Sequence, residues 1–227
     1  MRLVSTARLT AALLMVALLG LGARAGHAQE PLRRLHRAGV VFGQIMAAPD
    51  GGVPDEILRH SQCVMVIPGL KRAGFVFGGS FGRGVVSCRT GHGWSAPLFV
   101  TVGGGSFGLQ IGAQETDLVL LIMNRSGERY LLRDKFTLGG EMAASAGPVG
   151  RNAAAQTDAL LHAKMLAYSR SRGLFGGITL DGATILQDHD ANKWLYRRAS
   201  ARQILHGGVR APAQAGLLLR ELNRRGR

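Results

Sequence analysis

Glycine density in the middle of the chain constrains the fold more than any other feature. Between Gly69 and Gly112, 13 of 44 residues are glycine. A helix through this segment would lose about 1 kcal/mol at each glycine relative to alanine. Short β-prone runs lie between the glycines: Phe75-Val76-Phe77, Val85-Val86-Ser87-Cys88, Leu98 to Val102 and Phe107 to Ile111. The pattern predicts strands and turns, with glycine letting backbones approach closely and bend. No Gly-X-Y period is present, which excludes collagen. Cys63 to Ile67 reads as a buried strand closed by Pro68-Gly69, and Asp117 to Met123 as a central buried strand. The expected class is α+β: a curled, mainly antiparallel Gly-rich β-sheet or barrel-like sandwich with packed helices.

Helical signals flank this region. Pro31 to Ala47 reads as an amphipathic helix, with Leu32, Leu35, Phe42, Ile45 and Met46 at helical spacing and Arg33, Arg34 and Arg37 toward the other side. Pro54 to His60 suits a short helix with acids in its first turn. Asn124 is placed to cap a helix through Arg133, Asp190 to Tyr196 reads as helical, and Ala213 to Leu222 as a terminal helix. Lys135 to Ala146 and the C-terminal half of Leu160 to Ser169 read as strands. Asp181-Gly182 is a hairpin signature between Gly177–Leu180 and Ala183–Gln187. The pentapeptide Gly78-Gly79-Ser80-Phe81-Gly82 recurs as Gly104-Gly105-Ser106-Phe107-Gly108, read as two similar β-turns.

The first segment is an address. Two arginines precede a 13-residue apolar run, Leu9 to Leu21, and small residues follow at Ala23, Ala25, Gly26 and Ala28. Residues 1–28 are expected to be a cleaved secretory signal, implying export to a periplasm. The remaining chain divides into the N-terminal amphipathic helix and turn (29–52), a main domain (53–208) and a basic C-terminal tail or helix (209–227). In an oxidising compartment Cys63 and Cys88 are candidates for a disulfide, with two buried free thiols as the alternative. Two cysteines do not make a zinc ribbon.

Charge narrows the partners. Lysine plus arginine is 28 against 14 acids, a formal +14, and only three of the basic residues lie within 1–28. Such an excess favours an anionic partner. Export argues against nucleic acid and leaves anionic lipid or a membrane surface, with an envelope protein or glycan as the second choice.

Several chemical motifs are present in outline. Ser80 and Ser106 each sit in Gly-x-Ser-x-Gly, with His162 or His189 as conceivable bases. A nucleophile elbow needs a helix after the serine, and the glycines after Ser80 and the alternation after Ser106 oppose one. Gly103 to Gly108 fits Gly-x-Gly-x-x-Gly but leaves no room for a following helix before Asp117. Asp181, Asp188, His189 and Asp190 lack the full alternation of a calcium loop. Trp94 and Trp194 are expected to anchor core or turns. No catalytic residue, metal site or cofactor is expected.

Several stretches together resemble the SYLF domain. They are Val66-Ile67-Pro68-Gly69, Ala73-Gly74-Phe75, Gly82-Arg83-Gly84, Gly105 through Gln114, Ala167 through Gly177, and Asn192 through Tyr196. They keep order from about Pro54 to Gly208. The resemblance implies a non-enzymatic binding domain of the kind that contacts phosphoinositides, other anionic lipids and actin in eukaryotic endocytic proteins, and that also occurs in exported bacterial proteins. Actin and phosphoinositides are not expected in a bacterial periplasm, so the resemblance implies membrane-lipid binding in general rather than those ligands. The N-terminal helix is the segment able to play the family's amphipathic helix. Arg33, Arg34, Arg37, Lys71, Arg72, Arg83, Arg170 and Arg172 are the expected lipid-contacting residues.

Overall fold

The computed structural model describes residues 29–48, 52–74, 77–107, 112–147, 163–172 and 182–226. The expected signal segment 1–28, the first arm of the expected 177–187 hairpin, and residues 160–162 and 173–177 lie outside them. The fold is α+β: nine strands in one curled, mostly antiparallel sheet, with six α-helices among the described residues.

The strands are β1 (Cys63–Gly74), β2 (Phe77–Thr90), β3 (Gly93–Trp94), β4 (Leu98–Phe107), β5 (Gly112–Ile122), β6 (Lys135–Thr137), β7 (Ala144–Ala146), β8 (Met165–Arg172) and β9 (Thr184–Gln187). Their order is β6-β9-β4-β2-β1-β5-β8-β7, with β3 paired to β2. Only β7 and β8 pair in parallel among these strands. The helices are α1 (residues 29–46), α2 (Asp55–His60), α3 (Arg125–Leu131), α4 (His189–Tyr196), α5 (Ala201–Leu205) and α6 (Gly216–Arg225).

Both faces of the sheet are covered. Successive residues of β1 alternate between two apolar layers: Cys63, Met65 and Ile67 in one, Val64 and Val66 in the other. That is why β1 reads as an unbroken apolar run rather than as a polar–apolar alternation. The first layer is completed by Leu131 of α3 and by Ile204 and Leu205 of α5. The second holds Leu35, Ala38, Val41, Phe42 and Ile45 of α1, Ile57 and Leu58 of α2, and Leu218 and Leu222 of α6. The N-terminal helix therefore packs inward on the sheet. It also meets α6 closely: a Cβ on Gly39 would lie 2.8 Å from the Leu218 backbone nitrogen and 2.9 Å from the Leu217 side chain.

Caps follow the sequence. The Asn124 side chain accepts from the Gly127 amide and starts α3. Asp188 accepts from the Ala191 amide and starts α4 one residue earlier than expected. Ser200 and Gln203 form a capping box on α5, a helix the sequence reading did not anticipate. Asn192 holds α4 to β4 in both directions, accepting from the Phe99 amide and donating to the Phe99 carbonyl, each at 2.9 Å.

Three expectations need correction. Pro68-Gly69 does not close the first strand; β1 continues through it to Gly74 with one extra residue. Ile67 pairs with Leu118 and Leu70 with Thr116, so β1 advances three residues while β5 retreats two. The same shift appears against β2. This is a β-bulge, with Gly69 at φ 60°. Second, the repeated pentapeptides are not turns. Their described residues lie on β2 and β4 and pair with each other, Gly78 with Ser106, Gly79 with Gly105 and Ser80 with Gly104. Third, Lys135 to Ala146 is two short strands, β6 and β7, separated by a turn.

Cys63 and Cys88 are directly opposed in the β1–β2 register and joined as a disulfide inside the first layer.

Candidate functional site

A cleft of about 450 Å³ opens between the N-terminal half of α1 and the bulged part of β1 beside β2. Arg33, Arg37, Lys71 and Arg83 line it with Glu30 and Phe81. Each position has a local cause. Arg33 and Arg37 are one helical turn apart on the exposed edge of α1. Phe81 and Arg83 alternate with Gly82 and Gly84 on β2, so both point to the same face as Val85, toward α1. Lys71 reaches that face only because of the bulge. Ile67 and Leu70 share the first layer although three residues apart, and the extra residue turns Lys71 to the α1 side.

The bulge crowds β2. A Cβ on Gly84 would lie 2.5 Å from the Val66 carbonyl oxygen, and one on Gly82 within 2.9 Å of both Ile67 and Leu70 side chains. At Gly84 backbone stands in the way of a Cβ, and at Gly82 the Ile67 and Leu70 side chains would have to shift. The bulge is clasped from β5: the Gly69 amide donates to Asp117 Oδ1 at 3.0 Å, and Arg170 on β8 donates to Asp117 Oδ2 at 2.7 Å. The same guanidinium donates to Gln44 of α1. One buried carboxylate thus ties the bulge to β8 and, through Arg170, to α1.

Of the eight expected contact residues, the cleft brings together Arg33, Arg37, Lys71 and Arg83 as exposed cations. Arg34 also borders it but is turned inward. Its side chain is 3% exposed and pairs with Glu30 at 2.7 Å and Asp188 at 2.9 Å. Its guanidinium also lies 5.2 Å from the centre of the Phe99 ring. Arg72, next to Lys71 on a strand, faces the opposite side of the sheet, where burial lowers its pKa from the usual arginine value. Arg170 is engaged in the Asp117 clasp. Arg172 is in register with Glu115, and its side chain lies outside the described residues.

Acids balance the cleft only partly. Glu30, already paired with Arg34, is 3.8 Å from Arg83, and Glu115 on β5 is 3.9 Å from Arg37. Phe81 adds an apolar tip, 54% exposed, with the Arg83 guanidinium 5.7 Å from its ring centre. Sequence reasoning passed over Phe81, although a period-two reading of Phe81-Gly82-Arg83-Gly84-Val85 places it beside Arg83.

Among the described residues the alternative chemistries find no support; His162, Gly108 and Asp181 lie outside them. Ser80 lies inside a strand, its hydroxyl 3.4 Å from the Gly104 carbonyl across the ladder. Ser106 is also on a strand, so neither serine stands on a strand-to-helix elbow. Asp188 is occupied as the α4 cap and as a partner of Arg34. The group of potential metal ligands found among the described residues is Cys63, Cys88 and Glu128. Its sulfurs are bonded to each other, so neither offers a thiolate. Trp94 packs in the second layer, with the Arg89 guanidinium 4.5 Å from its ring centre. Trp194 does not anchor the core; it is 47% exposed on α4. Among the described residues no helix is long and apolar enough to cross a membrane.

Comparison with known proteins agrees with the resemblance. A family model described as Ysc84, Las17-binding protein actin regulator, matches residues 103–225. An SH3 domain-containing protein of Schizosaccharomyces pombe is 39% identical over 176 residues, 75% of this chain and 41% of that protein. Protein YSC84 of Saccharomyces cerevisiae is 35% identical over 203 residues, 87% of this chain and 42% of its own length. SH3 domain-containing YSC84-like protein 1 of Rattus norvegicus is 34% identical over 178 residues, 77% of this chain and 52% of its own. The chain thus spans about half or less of the length of these curated relatives. With the family model matching more than half of its residues, the chain belongs to the Ysc84 (SYLF) domain family.

Proposed function

We propose that this protein binds anionic membrane lipid through the cleft between α1 and the β1–β2 bulge, without catalysis, after export to the cell envelope. The observation that supports this most directly is the set of four exposed cations, Arg33, Arg37, Lys71 and Arg83, around the exposed Phe81. Each basic side chain at an anionic surface contributes about 1 kcal/mol. Four give about 4 kcal/mol, roughly a thousandfold enrichment at the surface. An aromatic tip among cations suits the interfacial zone of a bilayer.

The binding is peripheral. The apolar stripe of α1 is part of the core, and inserting it into lipid would strip Leu35, Phe42 and Ile45 from the sheet. Each such side chain is worth about 2 kcal/mol when buried. The helix therefore presents its Arg33–Arg37 edge to the membrane and keeps its apolar face on the protein.

Flotation with vesicles of phosphatidylcholine alone or with phosphatidylglycerol tests the reading. Recovery is expected on the anionic vesicles only, to fall with added salt, and to be lost in the Arg33→Gln/Arg37→Gln/Lys71→Gln variant. Equal recovery on both vesicle types, unaffected by salt, would refute it. A second reading, a protein partner held in the same cleft, has one observation in its favour: relatives carry the name LAS seventeen-binding protein 3. Capture of a defined envelope protein by a chain that ignores both vesicle types would select it.

A further inference from the structure

We infer a second anion-binding site on the opposite side of the sheet, for a ligand carrying two or more phosphate groups. A cavity of about 460 Å³ lies between α3, the start of β8 and α5. Arg129, Arg133, Lys164 and Arg202 line it around Tyr130. These elements border the first apolar layer through Leu131, Ile204 and Leu205, whereas the cleft described above belongs to the α1 side. The two cationic sites share no residue.

Charge accounting separates this cavity from an ordinary solvated rim. No acidic side chain lines it. Of the three acids on the neighbouring segments, Glu128 lies 3.3 Å from His206 and Asp134 3.5 Å from His189, while Glu141 pairs with one of the lining cations, Arg133, at 3.1 Å. Among the described residues Arg129, Lys164 and Arg202 have no carboxylate partner. Two of the cations instead stack on one ring: Arg133 lies 4.5 Å and Lys164 5.6 Å from the centre of Tyr130. The ring in turn packs edge-on against buried Phe136, which fixes it. Stacking restrains both side chains before any ligand arrives, which lowers the ordering cost of binding.

A neighbouring cavity shares Leu132 and Arg202 and adds Lys193, Arg197 and Arg198 against one acid, Asp134. Three cations without a carboxylate partner among the described residues, Arg129, Lys164 and Arg202, with Arg133 beside them, match a multiply charged oxyanion better than a single carboxylate. Guanidinium forks engage two oxygens of one phosphate at a time. The shared chemistry is that of a soluble polyphosphate or a lipid head group bearing more than one phosphate.

Titration calorimetry of the chain with sodium tripolyphosphate tests the site, beside flotation on vesicles containing a bisphosphorylated lipid. In the Arg33→Gln/Arg37→Gln/Lys71→Gln background, where the first cleft no longer holds phosphate, both measurements are expected to report one saturable site, weakened about tenfold by Arg129→Gln and again by Arg202→Gln. Arg33→Gln/Arg37→Gln alone, in the other cleft, is expected to leave the tripolyphosphate affinity of this second site unchanged. All substituted residues are exposed, and an unchanged thermal transition excludes misfolding. Loss of tripolyphosphate binding with vesicle binding kept identifies a soluble polyanion as the ligand; loss of both identifies a head group; either supports the site. Absence of saturable binding, or equal weakening by the two double variants, overturns it. Failure of the first cleft on phosphatidylglycerol vesicles leaves this outcome untouched.

Discussion

Arg34→Met separates structural from ligand-binding arginines on the same helix. Arg34 lies in line with Ala38, Val41 and Ile45 and carries its charge into the protein. Methionine keeps most of the packed volume and removes the guanidinium. Asp188 is left with its cap contact to the Ala191 amide, and Glu30 with Arg83 at 3.8 Å. Removing one partner of a buried ion pair costs about 3–5 kcal/mol. Asp188 and Glu30 are both partly open to water, which places the expected loss near the lower end, about 3 kcal/mol. For a domain of this size that corresponds to a fall in Tm of about 6–12 °C. Thermal and urea unfolding read the loss, and flotation on phosphatidylglycerol vesicles below the transition reads binding. The folded variant is expected to bind as the parent does, while Arg33→Gln/Arg37→Gln shows the reverse: unchanged Tm and lost binding. An Arg34→Met protein of parental stability that no longer binds vesicles would refute the assignment and return Arg34 to the lipid site.

Other substitutions probe the scaffold. Gly84→Ala forces a Cβ against the Val66 carbonyl and is expected to cost about 1–3 kcal/mol, whereas Gly79→Ala, whose Cβ meets only the Gly104 carbonyl oxygen at an ordinary 3.9 Å, stays within about 0.5 kcal/mol; urea midpoints distinguish them. Reduction of Cys63–Cys88, which closes a separation of 25 residues, is expected to lower stability by about 3 kcal/mol, read by unfolding with and without reductant in the denatured state. Burial raises the Tyr196 phenol above its usual range, and its hydroxyl donates to the Pro97 carbonyl at 2.7 Å. A phenol whose folded pKa is raised contributes stability that is complete below the unfolded value of about 10 and is lost as pH rises above it. Alkaline unfolding should therefore steepen above about pH 10, and Tyr196→Phe should reduce that slope.

The curled sheet was legible because its evidence is local. Glycine density, β-branched runs and period-two alternation all act within a few residues. The same holds for the α3 cap at Asn124 and for the apolar face of α1. Pro68-Gly69 was misread because the dipeptide is a turn signature in isolation. Its meaning here depends on Asp117 from another strand, which holds the Gly69 amide. Arg34 was misread for a related reason. Its helical spacing did place it with buried residues, but nothing near it announces Asp188, far along the chain, as its partner. The four cleft cations were all named from sequence, yet their convergence rests on the bulge parity that brings Lys71 to the α1 face.

The contact at Gly39 has a kinetic meaning. The first described helix completes its layer only when Leu217 and Leu218 arrive, across nearly the whole length of the fold. Contacts of such sequence separation slow the search for the native state. Until synthesis reaches α6, α1 has an uncovered side, and a chain crossing a membrane at that moment would do so as a substrate for chaperones rather than as a finished domain.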